Sequence, residues 1–123
     1  MSNAIVVSAS SISNGVLTIT LKVAATSSVN VTNFDLVLGT SDSEVTYQGV
    51  TPQNGWSIEA NPDAASPGSL VMSAFLLAGA APDTVIGTVR YTLADSADAS
   101  VNMTLQGEYN DPAGPLAGTG LVL

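Results

Sequence analysis

Short runs of alternating apolar and polar residues, separated by turn-forming residues, are the feature that most limits how this chain can fold. Alternation with a period of two places successive side chains on opposite faces of a strand, whereas an amphipathic helix needs a period of 3.6. Strands that follow one another without intervening helices predict an antiparallel β-sandwich with jelly-roll topology. About nine strands are predicted, over residues 4–9, 16–24, 29–38, 44–50, 56–60, 69–77, 84–93, 100–107 and 119–123.

Turn-forming residues divide these runs. Asn14-Gly15 lies between the first two, and because both residues tolerate positive φ, this pair predicts a tight hairpin. Residues 76–81 are predicted to form a loop, since Gly79 and Pro82 interrupt any helix there. Fixed φ angles and side-chain capping predict that three further segments lie outside strand interiors: 52–55, 61–63 and 66–68.

The length of 123 residues predicts a single domain spanning residues 1–123. Residues 1–4, Met-Ser-Asn-Ala, lack the charged start and apolar middle of a signal peptide, and we interpret them as a remnant of an expression vector. No run approaches the roughly 18 apolar residues of a spanning helix. We therefore expect no membrane insertion.

The charge balance excludes whole classes of partner and chemistry. Only Lys22 and Arg90 oppose ten carboxylates, so the net charge is −8, and such a surface repels phosphate polymers. We expect no binding to nucleic acid. The chain has no His and no Cys, which removes the commonest general base, the thiolate nucleophile and the commonest zinc ligands. We therefore expect a protein that is not an enzyme.

Carboxylate pairs are the remaining candidates for acid–base chemistry. The nearest pairs in the sequence are Asp42 with Glu44 and Asp95 with Asp98. Both lie in polar, turn-like segments, where the raised pKa of a general acid is not expected. We interpret these residues as solvated turn acids and assign no catalytic residue.

Oxygen-rich turns are the candidates for a metal cofactor. Asp42, Ser43 and Glu44, or Asn110 with Asp111, could supply the hard oxygen ligands that calcium prefers. No spacing matches a twelve-residue calcium loop. We therefore predict no cofactor and no metal site, with calcium as the alternative.

Exposed aromatic side chains are the usual platform for sugar rings. The candidates are Trp56, Tyr47, Tyr91 and Tyr109. Trp56 follows a turn at the start of a strand, a position more typical of a core anchor than of a sugar platform. Carbohydrate binding is accordingly the alternative function.

Four predicted strand segments follow one another in a recognisable order. They are Asn33-Phe34-Asp35-Leu36-Val37-Leu38, Val45-Thr46-Tyr47-Gln48-Gly49-Val50, Gly68-Ser69-Leu70-Val71-Met72-Ser73-Ala74-Phe75 and Ile86-Gly87-Thr88-Val89-Arg90-Tyr91-Thr92-Leu93. In this order they resemble the cohesin family, sandwich modules that hold dockerin-bearing partners on bacterial scaffolds and surface proteins. Related carbohydrate-binding modules share this architecture, and the resemblance covers roughly residues 5–123.

The resemblance implies a non-catalytic protein–protein interaction module, located outside the cell or on its surface, with the secretion signal outside this sequence. Its partner would be a dockerin-like or another surface protein. Besides carbohydrate binding, cohesin-like domains can serve as structural spacers in surface proteins or adhesins, and this alternative stays open.

The resemblance also implies which face binds, because outward residues of the third and sixth strands form the family's partner site. Strand alternation assigns the outward positions, giving an apolar patch with a polar rim. One alternative places Phe75 in the core beneath the following loop, and a single β-bulge would invert the assignment. The predicted partner-binding residues are Asn33, Asp35, Val37, Val71, Ser73 and Phe75.

Overall fold

The computed structural model describes residues 4–27, 29–40, 45–63, 66–93, 102–110 and 114–122. The described part consists of strands and turns without any helix, so it offers no helix that could cross a membrane. Each predicted run overlaps one of the nine strands. The strands are β1 (Ile5–Ser13), β2 (Val16–Val23), β3 (Val31–Gly39), β4 (Val45–Pro52), β5 (Ser57–Asp63), β6 (Ser66–Ala80), β7 (Val85–Leu93), β8 (Asn102–Tyr109) and β9 (Gly114–Val122).

The strands form two antiparallel sheets. One sheet has the order β1-β2-β7-β4 and the other β5-β6-β3-β8-β9. β2 pairs with β7 and β3 pairs with β6, so the chain folds back on itself between β2 and β7. It crosses from one sheet to the other at each connection in this stretch except the β5–β6 hairpin. This nested pairing is the jelly-roll arrangement, and the predicted nine-stranded sandwich is confirmed.

The core lies between the inner faces of the two sheets. In β2, residues at alternate positions, such as Leu17 and Ile19, are fully buried, and the intervening Thr18 is half-buried. Phe34 of β3 packs against Trp56, with ring centroids 5.4 Å apart. Each such side chain contributes about 1.5–3 kcal/mol to stability by leaving water. The period-two pattern therefore sets both the strands and the direction of their side chains.

Of residues 1–4, interpreted as a vector remnant, only Ala4 lies among the described residues. Ala4 is buried, and its carbonyl accepts a hydrogen bond from the backbone N–H of Ala24 at 2.8 Å. Within the described residues, Ala4 therefore belongs to the core.

Two of the three turn-forming segments, 61–63 and 66–68, lie inside strands, so the prediction that excluded them is wrong, whereas 52–55 ends β4 and forms the turn before β5, as predicted. β5 includes Pro62 and β6 includes Pro67. A proline cannot donate to a sheet, but β5 is an edge strand and Pro67 falls where the β5–β6 register shifts. Other prolines also occupy edge strands, Pro52 in β4 and Pro115 in β9.

The predicted loop at residues 76–81 is also wrong, because β6 continues to Ala80. Asn33 pairs with Phe75, yet Val31 pairs with Ala80, so β6 contains a bulge of extra residues opposite Thr32. Gly79 has a φ of 78° within this bulge. A bulge absorbs the glycine without ending the strand, and alternation alone cannot show this.

Gly107 allows β8 to approach β3 closely. It lies opposite Leu36, has a φ of 150°, and a Cβ there would stand 2.0 Å from the carbonyl oxygen of Asp35. This pairing places Glu108 beside Asp35 and Gln106 beside Val37. Glycine at this position therefore sets the register of one side of the five-stranded sheet.

We expect Gly107→Ala to lower the free energy of unfolding by about 2–4 kcal/mol, because the new methyl group forces both a backbone clash and an unfavourable φ. Gln106→Ala, at the neighbouring exposed position, is the control and should change it by less than about 0.5 kcal/mol. Urea unfolding followed by tryptophan fluorescence measures both. Equal stability of the two variants would contradict the close approach.

Candidate functional site

The structure places all six predicted partner-binding residues on the outward face of the five-stranded sheet. They form three neighbouring cross-strand pairs, in which directly opposed side chains point to the same side. The pairs are Asn33 with Phe75, Asp35 with Ser73, and Val37 with Val71. The intervening residues of both strands, among them Leu36 and Met72, are buried. The role of the six residues in binding stays a prediction.

Phe75 does not plug the core. It lies within β6, and 54% of its surface is exposed. The β6 bulge begins beyond Phe75, so it leaves the alternation of residues 70–75 intact. The alternative position for Phe75 is therefore wrong.

The neighbouring strands β5 and β8 add residues to these pairs and so extend them into rows across the sheet. Sequence analysis did not identify the added residues. β5 places Ser57 opposite Phe75 and Glu59 opposite Ser73, while β8 places Glu108 opposite Asp35. Alternation marks Glu59 and Glu108 as outward, but only the strand order shows that they flank β6 and β3. We call the outward residues of β5, β6, β3 and β8 the outer face.

An acidic row crosses the outer face. Glu59, Ser73, Asp35 and Glu108 follow one another on four adjacent strands, and all four side chains are exposed. The hydroxyl of Ser73 donates a hydrogen bond to Oδ1 of Asp35 at 2.5 Å. This bond holds one carboxylate of the row in a defined direction.

Apolar side chains lie on either side of the acidic row. Val71, with 48% of its surface exposed, and Phe75 flank Ser73 along β6, and Leu77 in the bulge is 92% exposed. Three of the four exposed large apolar side chains in the described residues thus belong to β6. Exposed apolar groups concentrated along one strand are typical of an interaction surface.

A shallow depression of about 380 Å³ opens beside Phe75. It lies over β5, β6 and β3, which are adjacent strands. Besides Phe34, Ile58 and Ala74, its lining consists of residues of the outer face: Ser57, Glu59, Asn33, Asp35, Ser73 and Phe75. The depression gives the outer face a place where a side chain from another molecule can lie.

The outward side of the four-stranded sheet has a different chemistry. Lys22 contacts the carboxylate of Asp83, and Arg90 donates a hydrogen bond to Oγ1 of Thr51 at 2.8 Å. The strands of this sheet contain both cations of the chain and no Asp or Glu. The strands of the five-stranded sheet contain four Asp and Glu residues and no cation. The two faces therefore differ in charge.

The aromatic residues considered for sugar binding do not form an exposed strip. All six aromatic residues of the chain are described, and Phe75 is the one that is exposed. Trp56 is buried, as expected for a core anchor, and so is Tyr91. Tyr47 and Tyr109 are half-buried. A sugar platform would therefore have a single ring.

Tyr91 lies wholly within the core, where Tyr47 meets it edge-on at 6.1 Å. Its hydroxyl has no hydrogen-bond partner within the part of the chain that the structure describes. Burial raises the pKa of Tyr91 well above its ordinary value, and the nearby Tyr47 raises it further. The Tyr91 hydroxyl in the folded protein therefore keeps its proton to a higher pH than an exposed tyrosine does.

The candidates for catalysis and calcium binding lie mostly outside the described residues. This holds for Asp42–Glu44, for Asp95 with Asp98, and for Asp111. Asn110 is described, and its Oδ1 accepts hydrogen bonds from the backbone N–H and the hydroxyl of Thr32. Within the described ranges, no group of three or more His, Cys, Asp or Glu residues could hold a metal ion.

Comparison with known proteins shows the fold alone. No protein-family model matches the chain, and no curated protein matches it. The crystal structure of an uncharacterized protein from Nocardia farcinica, which has an immunoglobulin-like fold, is similar with a TM-score of 0.53. The match has 16% sequence identity and covers 86% of this chain and 75% of that chain. It supports the β-sandwich.

As the pH rises into the alkaline range, we expect the free energy of unfolding to fall less in Tyr91→Phe than in the parent protein. The folded pKa is raised, so Tyr91 contributes fully below the unfolded value of about 10, and this contribution is lost as pH rises through the folded pKa. Below pH 9 the variant should be as stable as the parent or more so, because it removes a buried hydroxyl without a partner among the described residues.

Urea unfolding at several pH values between 8 and 11 measures this effect. Tyr109→Phe is the control, because Tyr109 is half-buried and lies in β8 of the other sheet, away from the Tyr91–Tyr47 pair. An unchanged alkaline slope in Tyr91→Phe would contradict the assignment.

Proposed function

We propose that this chain is a non-catalytic protein–protein interaction module that binds another protein through its outer face. The observation that carries the proposal is the in-register placement of Phe75 and Val71, both about half exposed, within a polar rim. Binding sites between proteins commonly combine an apolar centre with a polar rim, and an aromatic residue often supplies much of the affinity.

The cohesin-like resemblance gives the proposal a finer form, with a dockerin-like or other surface protein as partner and an extracellular or cell-surface location. The segments that carry the resemblance lie in β3, β4, β6 and β7. These strands are neighbours in pairs, β3 with β6 and β4 with β7. The segments are therefore close in the fold as well as ordered in the sequence, which supports the finer proposal.

The absence of catalysis is part of the proposal. The exposed carboxylates of the outer face lie on an open sheet, and Glu59 and Asp35 are separated by a strand, about 10 Å at the usual strand spacing. Neither is drawn into an enclosed site in which water would be excluded from a reacting group. This arrangement suits recognition better than acid–base chemistry.

Carbohydrate binding has less support from the geometry, because a single exposed ring replaces the strip of aromatic residues that sugar chains favour. A structural spacer would require no binding by the outer face. Both alternatives are outcomes of the experiment below.

Phe75→Ala should weaken binding of the protein partner at least tenfold, because the ring is the largest exposed apolar group of the outer face. Its thermal unfolding should change little, about 1 kcal/mol or less, because the side chain is already half exposed. The matched control is Thr46→Ala on the exposed side of β4 in the other sheet.

The three proteins serve as baits for the secreted and envelope fractions of the source organism, with identification by mass spectrometry and titration of the purified partner. A protein retained by the parent and by Thr46→Ala, but lost by Phe75→Ala, supports the proposal. Retention by an insoluble polysaccharide alone favours a carbohydrate-binding module. Equal retention by all three baits, or none by any, contradicts binding through the outer face.

A further inference from the structure

Acidic and basic residues of the strands lie in different sheets. Four carboxylate residues and no cation belong to the strands of the five-stranded sheet, and both cations of the chain belong to the other sheet. Three of these carboxylates, Glu59, Asp35 and Glu108, are exposed in the acidic row. The outer face therefore presents negative charge that no Lys or Arg side chain of its own sheet offsets.

Four residues of the outer face surround Ser73, two of them charged and two apolar. Glu59 and Asp35 lie on either side of Ser73 across the strands, and Phe75 and Val71 lie on either side along β6. A residue on one strand and its diagonal neighbour on the next are roughly 7–8 Å apart. Phe75 is thus within reach of a group that also approaches both carboxylates, and the depression opens at this position.

We infer that the partner presents a cationic segment, with an Arg or Lys side chain lying across Phe75 between Glu59 and Asp35 and an apolar side chain against Val71. This inference rests on the proposed function, since it names the chemistry of the protein that the outer face binds. The inference rests on charge complementarity, and the positions of Phe75 and Val71 determine where the cation lies.

A cation suits this position for two physical reasons. The face of an aromatic ring attracts a cation within about 6 Å of its centre. The two carboxylates can accept charge-assisted hydrogen bonds, and an Arg side chain can approach a carboxylate with two parallel N–H donors. The Ser73 hydroxyl already orients the Asp35 carboxylate, which reduces the ordering required on binding.

A second copy of this chain does not fit as well. Its two cations lie on the opposite sheet, where Lys22 contacts Asp83 and Arg90 bonds to Thr51. Contact between two outer faces would bring like charges together. A different protein with an exposed basic segment satisfies the face better.

The first test uses N-acetyl-arginine amide as a probe and N-acetyl-citrulline amide as its uncharged control, each titrated into the ¹⁵N-labelled protein and followed by NMR. The arginine probe should shift the amide signals of Glu59, Ser73 and Phe75, and citrulline should shift them several-fold less. The double variant Asp35→Asn with Glu59→Gln should lose the arginine effect. The single variant Asp83→Asn, which removes a carboxylate beside the other sheet, should keep it.

Equal shifts from both probes, shifts confined to other surfaces, or an undiminished response in the double variant would overturn the inference. Thermal unfolding checks that the double variant is folded, and Glu59→Gln alone serves if it is not, because Glu59 is exposed on an edge strand. Dispersed NMR signals of each variant confirm the same point.

The second test uses the partner captured with the parent protein and separates this inference from the proposed function. The double variant should weaken its binding about tenfold at 50 mM salt and much less at 500 mM salt, because salt screens exposed charges. If Phe75→Ala abolishes binding and the double variant and salt have no effect, the outer face binds a protein without a cationic segment. If neither substitution has an effect, both proposals fail.

Discussion

The pairing of β3 with β6 holds the centre of the core and the centre of the outer face in one register. Its inward residues, such as Leu36 and Met72, supply the centre of one wall of the core, and its outward residues supply the centre of the outer face. One register therefore sets both. A shift of one residue in either strand would turn its buried side chains outward and its exposed side chains inward. The stabilisation from burying several apolar side chains would then be lost. The stability of the core thus fixes the composition of the surface.

The same pair depends on its neighbours for completeness. β8 can pair with β3 only because Gly107 has no side chain. β5 pairs with β6 although it contains Pro62, because an edge strand needs hydrogen bonds on one side only. These outer strands bring Glu108 and Glu59 to the ends of the acidic row. The chemistry of the face therefore comes from four separate segments of the chain, joined by backbone pairing that tolerates unusual residues at its margins.

Much of this arrangement could be predicted from the sequence, and the remainder depends on contacts that a sequence pattern does not contain. Alternation identified the strands and the outward direction of Phe75, because a period of two is local to each strand. It could not identify Glu59 and Glu108 as neighbours of Ser73 and Asp35, since strand order is a property of the whole sheet. Proline and glycine signals were misleading at Pro62 and Gly79, where an edge and a bulge accommodate them. Catalytic and calcium candidates at residues 42–44 and 95–98 lie outside the described residues.

The edge prolines have a consequence for how such domains behave when crowded. Pro52, Pro62 and Pro115 lie in three of the four edge strands, and a proline cannot donate the hydrogen bond that a neighbouring chain would need to extend the sheet. Many copies held at high local concentration would thereby resist fusing through these three edges, which leaves β1 as the one edge strand without a proline. Association through side chains on the faces can be selective and reversible.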